Sequence, residues 1–157
     1  MKKSLVLIVV FALCAITMYS QTEQEEIDYF QSLFGMGKKA IVADFITLDE
    51  SVATEFWALY DEYETARKAG GQKRLDLLAD YADSYLKLTD EKTDEIIKSM
   101  EKQKKSLDKL IFKYYKKMKN TAGTKTAAQF YQLEYYFLNA IRMELLDNIP
   151  FIGELDL

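Results

Sequence analysis

Histidine is absent from this 157-residue chain, and cysteine occurs once, at Cys14. Without imidazole, the chain cannot build a Ser-His-Asp triad, a Cys-His pair or a zinc site with histidine ligands. The catalytic groupings of most hydrolases are therefore excluded. The sequence also has no glycine-rich phosphate loop. We therefore predict that the protein is not an enzyme and carries no cofactor.

Carboxylates are the metal ligands that remain, and they cluster at 23–26, 61–64 and 90–95. Oxygen ligands of this kind suit Ca²⁺ or Mg²⁺. None of the clusters has the spacing of an EF-hand loop, and all lie on predicted helices. We interpret them as solvated helix faces and predict no metal site, with a weak cation site as the alternative.

Proline is as scarce as cysteine, since Pro150 is the single one, and glycine occurs six times. Little therefore interrupts the periodic apolar pattern, which predicts an all-α fold of about four helices joined by short turns. The predicted helices cover 23–46, 50–87, 90–119 and 125–148. The predicted N-caps of the last three are Asp49, Thr89 and Thr124, whose side-chain oxygens can accept from a free amide of the first turn. The second helix keeps its apolar phase across Gly70 and Gly71, which favours one long helix. A kink is the alternative, because two glycines cost a helix about 2 kcal/mol.

The N-terminal segment has the layout of an export signal. Lys2 and Lys3 precede an uncharged apolar run at 5–16, which is the right length for a signal peptide and too short to span a bilayer. We predict a signal peptide at 1–20, cleavage before Gln21, a single mature domain at 21–157 and a periplasmic location. A lipid on Cys14 and an uncleaved membrane anchor are the alternatives.

Charge is distributed unevenly along the mature chain. Without Lys2 and Lys3, 19 basic and 25 acidic residues remain, for a net charge of −6, which argues against general nucleic-acid binding. Residues 21–95 hold 8 basic and 18 acidic residues, whereas residues 96–125 hold 10 basic and 2 acidic ones. The third predicted helix is thus a basic segment in an acidic protein.

The basic residues of this helix share one face. On a helical wheel the lysines fall within about 80° of one another, opposite the apolar stripe that contains Ile96, Met100 and Ile111. An aromatic residue, Phe112, lies close to them. We call this set the basic strip: Lys98, Lys102, Lys105, Lys109, Phe112, Lys113 and Lys116. It is either a solvated face or a surface that binds partly unfolded polypeptide through charge and apolar contact.

Two charged residues break the apolar stripes of other helices. Arg74 falls on the apolar face of the second helix, and Glu134 falls on that of the fourth, between Phe130 and Phe137. Because a lone buried charge costs several kcal/mol, we predict that Arg74 and Glu134 form an ion pair between these helices. The alternative is that each reaches solvent or another partner, such as a tyrosine hydroxyl.

A short motif occurs where the third helix begins. The sequence Leu88-Thr89-Asp90-Glu91-Lys92 resembles the L-T-x-x-Q motif of the Spy/CpxP family of periplasmic helical stress proteins, with Lys92 in place of Gln. A weaker copy, Leu48-Asp49-Glu50, precedes the second helix. The segments 56–63 and 130–134 are also similar to members of this family of the Bacteroidetes type.

This resemblance implies an all-helical cradle made from long antiparallel hairpins, usually as a homodimer. It further implies an ATP-independent chaperone, or holdase, that binds unfolded proteins of the cell envelope. The alternative is a regulatory module that docks on a membrane-anchored sensor or an anti-sigma factor. Metal-sensing members of the family use histidine-rich sites, which this chain cannot form.

Overall fold

A computed structural model describes residues 36–154, and within that range every regular element is helical and no strand occurs. The all-α prediction is therefore confirmed for the part of the chain that the structure describes. By its internal contacts the chain divides into two compact units, Met1–Ile41 and Val42–Leu157. The predicted signal peptide, its cleavage site and Cys14 lie outside the described residues.

The described helices follow the predicted ones closely. Helix α1 covers 36–45, which is the described part of the helix predicted at 23–46. Helix α2 is Glu50–Ser84 and continues through Gly70 and Gly71, so the prediction of one long helix is confirmed. A 3₁₀ turn, Tyr85–Lys87, ends it three residues before the predicted end. Helix α3 is Asp90–Asn148.

Helix α3 is divided by one residue, Gly123. Its φ of 85° and ψ of 168° are non-helical and lie in a region open almost only to glycine. The break separates a first arm, 90–122, from a second arm, 124–148, and falls one residue before the predicted N-cap at Thr124. The Tyr135 hydroxyl on the second arm donates to Asp108 on the first, at 3.0 Å. These residues would lie about 40 Å apart on a straight helix, so the arms fold back on each other.

Polar contacts fix how α2 packs on both arms of α3. Towards the first arm, Lys92 pairs with Asp80 and Lys117 pairs with Glu62, each at 2.8 Å. The two helices therefore run antiparallel. Towards the second arm, Tyr63 contacts Glu134 and Tyr81 contacts Pro150, so these helices run parallel.

The buried core fills the half of this bundle that is near Gly123. Phe56, Tyr60 and Tyr63 of α2 meet residues from both arms there, and Val42 and Ile46 belong to the same cluster. The remaining members are Ile111, Tyr114, Met118, Ala127, Phe130, Phe137 and Leu138. The predicted stripes are confirmed at Ile111, Phe130 and Phe137.

Met100 is the exception, because its side chain is 42% exposed although it was predicted on the buried stripe. The physical reason lies across the interface. The Gln103 amide, one turn along from Met100, donates to the carbonyl of Gly70 at 3.1 Å. Gly70 therefore faces the first arm one turn from Met100, and it offers no side chain there.

The two motif copies both lie at helix starts. Thr89 is the N-cap of α3, and its hydroxyl accepts from the Lys92 backbone amide at 3.2 Å, as predicted. Threonine and a residue three positions later have the spacing of a capping box, in which Glu or Gln would occupy the place of Lys92. Lys92 has no acceptor to complete the box, and its ammonium binds Asp80 instead. Leu88 is half-buried in the extended link before Thr89.

The weaker copy is less complete. Asp49 occupies the N-cap position of α2 with an extended backbone, but its carboxylate makes no capping hydrogen bond. The helix start is instead held by the Asp49 carbonyl, which accepts from the amides of Val52 and Ala53 at 3.1 Å each. Leu48 packs against the core cluster. The predicted side-chain cap at Asp49 is therefore wrong, whereas the helix boundary is correct.

Gly70, inside a helix, and Gly123, at a break, predict opposite effects of the same substitution. Gly123→Ala should lower the free energy of unfolding by about 1–3 kcal/mol, because a Cβ strains the backbone at this φ and ψ. Gly70→Ala should raise it by about 0.5–1 kcal/mol, since Gly70 is helical and nothing lies within 4 Å of the added Cβ. Urea unfolding followed by circular dichroism measures both. A stabilised Gly123→Ala variant would contradict the break.

Candidate binding surface

The basic strip lies on the outer face of the first arm of α3. All seven of its side chains are exposed, including Phe112 at 47%. Lys98 pairs with Asp94, and Lys105 lies 3.6 Å from Glu101. These are surface pairs within one helix and add little stability. Within residues 36–154, Lys102 and Lys109 have no ion-pair partner.

An aromatic ladder runs beside the strip. Phe112 stacks on Tyr115, with ring centroids 5.7 Å apart and an interplanar angle of 11°. Tyr115 contacts Tyr131 of the second arm at 5.8 Å, and Tyr131 contacts Tyr135 at 4.8 Å. We call these four residues the aromatic ladder. It extends the apolar part of the surface from the first arm of α3 to the second.

Ammonium groups of the strip lie directly over aromatic rings. The Lys116 ammonium lies 4.6 Å from the centroid of the Phe112 ring, within cation–π range. Burial raises the pKa of Tyr135, and hydrogen bonds to Tyr131 and Asp108 raise it further. The Tyr135 hydroxyl therefore remains a donor at neutral pH, as its hydrogen bond to Asp108 requires.

The sequence interpretation missed three residues of the ladder, Tyr115, Tyr131 and Tyr135. Their spacing along the chain gave part of the information, since residues three or four apart share a helix face. The contact between Tyr115 and Tyr131 depends on the fold-back at Gly123. Only the position of that break brings the two pairs together.

A second set of polar side chains, made of a tyrosine, two glutamates and an arginine, lies inside the bundle. The Tyr63 hydroxyl donates to a carboxylate oxygen of Glu134 at 2.6 Å, and Glu134 is 2% exposed. Beside them, the guanidinium of Arg67 binds the carboxylate of Glu64 at 2.9 Å. Burial lowers the pKa of Arg67, but the hydrogen bond and charge of Glu64 outweigh this and raise the pKa overall.

The predicted ion pair between Arg74 and Glu134 is wrong. Glu134 is level with Tyr63, and Arg74 lies eleven residues further along α2, which is about 16 Å of helix. Arg74 instead lies near Arg142, whose charge adds to burial in lowering the pKa of Arg74. For Glu134 the alternative is confirmed, since its partner is a tyrosine hydroxyl. This contact joins α2 to the second arm.

The buried tyrosine predicts a measurable loss. Tyr63→Phe keeps the ring and removes one donor from the Glu134 carboxyl group, so the free energy of unfolding should fall by about 1–3 kcal/mol. Equilibrium unfolding in urea at neutral pH measures the change. Tyr136→Phe is the matched control, because Tyr136 is 68% exposed, and its effect should stay within about 0.5 kcal/mol.

The same residue sets a pH dependence. Burial, and then the charge of Glu134, raise the pKa of Tyr63 above 10, its ordinary value. Its protonated form is therefore favoured by folding, and this stabilisation is complete below pH 10 and declines as the pH rises above it. Tyr63→Phe should lose less stability above pH 10 than the unaltered protein. Equal slopes would contradict this account of Glu134.

Exposed apolar side chains are concentrated in the half of the bundle away from Gly123. There the core cluster has ended, and large apolar residues of α2, the 3₁₀ turn, both arms and the C-terminal turn face solvent. They are Leu75, Leu86, Ile97, Met100, Met143, Leu146, Phe151 and Ile152. The hydroxyls of Tyr81 and Tyr85 donate to the carbonyls of Pro150 and Phe151 at 2.7 Å each, which ties the C-terminal turn to the end of α2.

The described helices contain neither a metal-ligand cluster nor a candidate membrane-spanning segment. Over residues 36–154, no group of three or more potential ligands is arranged to hold a metal ion. No helix in that range is both long enough and apolar enough to cross a membrane.

Comparisons with protein-family models, with curated proteins and with solved structures found no match to this chain.

Proposed function

We propose that this protein is an ATP-independent holdase that binds unfolded polypeptide on the basic strip and the adjoining aromatic ladder. The observation that carries the proposal is the joint exposure of the strip lysines and Phe112 on one helix of an otherwise acidic protein. Positive charge attracts acidic segments of a client over a distance, and the ring offers apolar contact. The surface needs no nucleotide and no catalytic group.

The cellular setting and assembly belong to the same proposal. The export signal predicted at 1–20 would place the protein in the periplasm, where clients are unfolded envelope proteins. We propose the Spy/CpxP-like arrangement for the mature chain: four helices, counting the arms of α3 separately, in an antiparallel hairpin cradle. Two copies would form a homodimer. The exposed apolar residues distant from Gly123 are available for such an interface.

Suppression of aggregation tests the proposal. A denatured model client is diluted into buffer with increasing amounts of the protein and without ATP, and light scattering is followed. A holdase suppresses scattering near stoichiometric ratios. If scattering is unchanged at a large excess, the holdase proposal fails. The regulatory module that docks on a membrane-anchored sensor then becomes the better hypothesis.

A further inference from the structure

Two arginines lie at the same level of the bundle, between α2 and the second arm of α3. Tyr63 contacts Glu134, which is 71 residues later in the chain, and Tyr81 contacts Pro150, which is 69 residues later. Arg74 lies between Tyr63 and Tyr81 on α2. By the same pairing it faces residues 143–145 of the second arm, within one turn of Arg142. Burial lowers the pKa of Arg74, and the positive charge of Arg142 lowers it further.

Neither Arg74 nor Arg142 forms an ion pair within residues 36–154, and Arg74 Nε is buried there without a hydrogen-bond acceptor. The acidic residues nearby on α2 are engaged elsewhere, since Asp76 accepts from Gln72 and Asp80 from Lys92. Two like charges and a buried, unsatisfied donor are each unfavourable. Their combination indicates a ligand of opposite charge.

The chemistry of the arginines defines that ligand. A guanidinium group presents a planar fork of donors that matches two oxygens of a carboxylate or a phosphate. Both side chains are half-buried, so they are accessible from solvent and partly shielded from it. Shielding strengthens the attraction between guanidinium and anion compared with an exposed lysine.

We propose that Arg74 and Arg142 together bind one oxyanion, a carboxylate or phosphate group, in the groove between α2 and the second arm of α3. This site is distinct from the basic strip, which lies on the outer face of the first arm. It needs two helices rather than one, so it exists only in the folded bundle. Its occupation therefore stabilises the packing of the second arm on α2.

Titration with defined anions tests the site. Inorganic phosphate, acetate and a short peptide with a free C-terminal carboxylate are added separately at constant ionic strength, with the amidated peptide as the uncharged counterpart. At least one oxyanion should raise the melting temperature in a saturable way and shift the ¹H–¹⁵N resonance of Arg74 Nε. A response to phosphate alone identifies a phosphate source. A response to the free peptide but not to its amide identifies a polypeptide carboxylate.

Matched variants separate a specific site from a general salt effect. Arg74→Met and Arg142→Met should each abolish the response, and Arg74→Met should be at least as stable as the unaltered protein without anion. Lys73→Met removes the same charge from an exposed neighbour and should keep the response. The proposal is overturned if no oxyanion shifts the Arg74 resonance, or if either arginine variant responds like the unaltered protein.

Discussion

Phe130→Ala should lower the free energy of unfolding by about 3–5 kcal/mol, the loss typical of a large aromatic side chain removed from a core. The Phe130 ring is fully buried and meets Tyr63 edge-on at 5.1 Å and Tyr60 at 6.3 Å. It therefore joins the second arm of α3 to α2 at the centre of the core cluster. Denaturant unfolding monitored by circular dichroism and by tyrosine fluorescence measures the loss.

Phe112→Ala is the matched control, because it is the same substitution on the same helix at an exposed position. Among the ring contacts within residues 36–154, Phe112 packs on Tyr115 alone, so its removal should cost less than about 1 kcal/mol. The two variants also separate stability from binding. Phe112→Ala should weaken client binding in a protein that remains folded. Similar losses of stability in both variants would contradict the assignment of core and surface.

Reversal of three strip lysines should weaken client binding at least tenfold. In the variant Lys102→Glu, Lys105→Glu, Lys109→Glu, three neighbouring positive charges on an exposed face become negative. The helix is retained because none of the three packs in the core. We expect affinity for an unfolded client to fall at least tenfold at low salt, which is about 1.4 kcal/mol. The difference should shrink as salt screens the charges.

The control for this reversal keeps the total charge change and moves it elsewhere. The variant Lys73→Glu, Lys87→Glu, Lys125→Glu alters three exposed lysines outside the strip. If net charge alone governs binding, both triple variants lose affinity equally. If the strip is the binding surface, the control retains most of its affinity. Binding that survives reversal of the strip at low salt would leave the strip as a solvated face.

Features that depend on local sequence were predicted well. The continuation of α2 through Gly70 and Gly71, the cap at Thr89 and the exposed strip all follow from spacing along one helix. Helical periodicity fixes which residues share a face. It needs no knowledge of the partner helix.

Features that depend on how helices align were not predictable in this way. The ion pair predicted between Arg74 and Glu134 assumed a relative position of two helices that differs from the observed one by about three turns. The aromatic ladder required the fold-back at Gly123, and the exposure of Met100 depends on which residues of α2 lie opposite it. A helical wheel gives the face of each residue, but it contains no information on its height relative to a neighbouring helix.

Backbone chemical shifts of the protein, recorded while an unfolded client is titrated in, test the central claim most directly. We predict that the largest perturbations fall on residues 98–116 and on the ladder residues Tyr131 and Tyr135, and that they diminish with salt. Perturbations concentrated on the exposed apolar residues at 143–152, with none along the basic strip, would contradict the account.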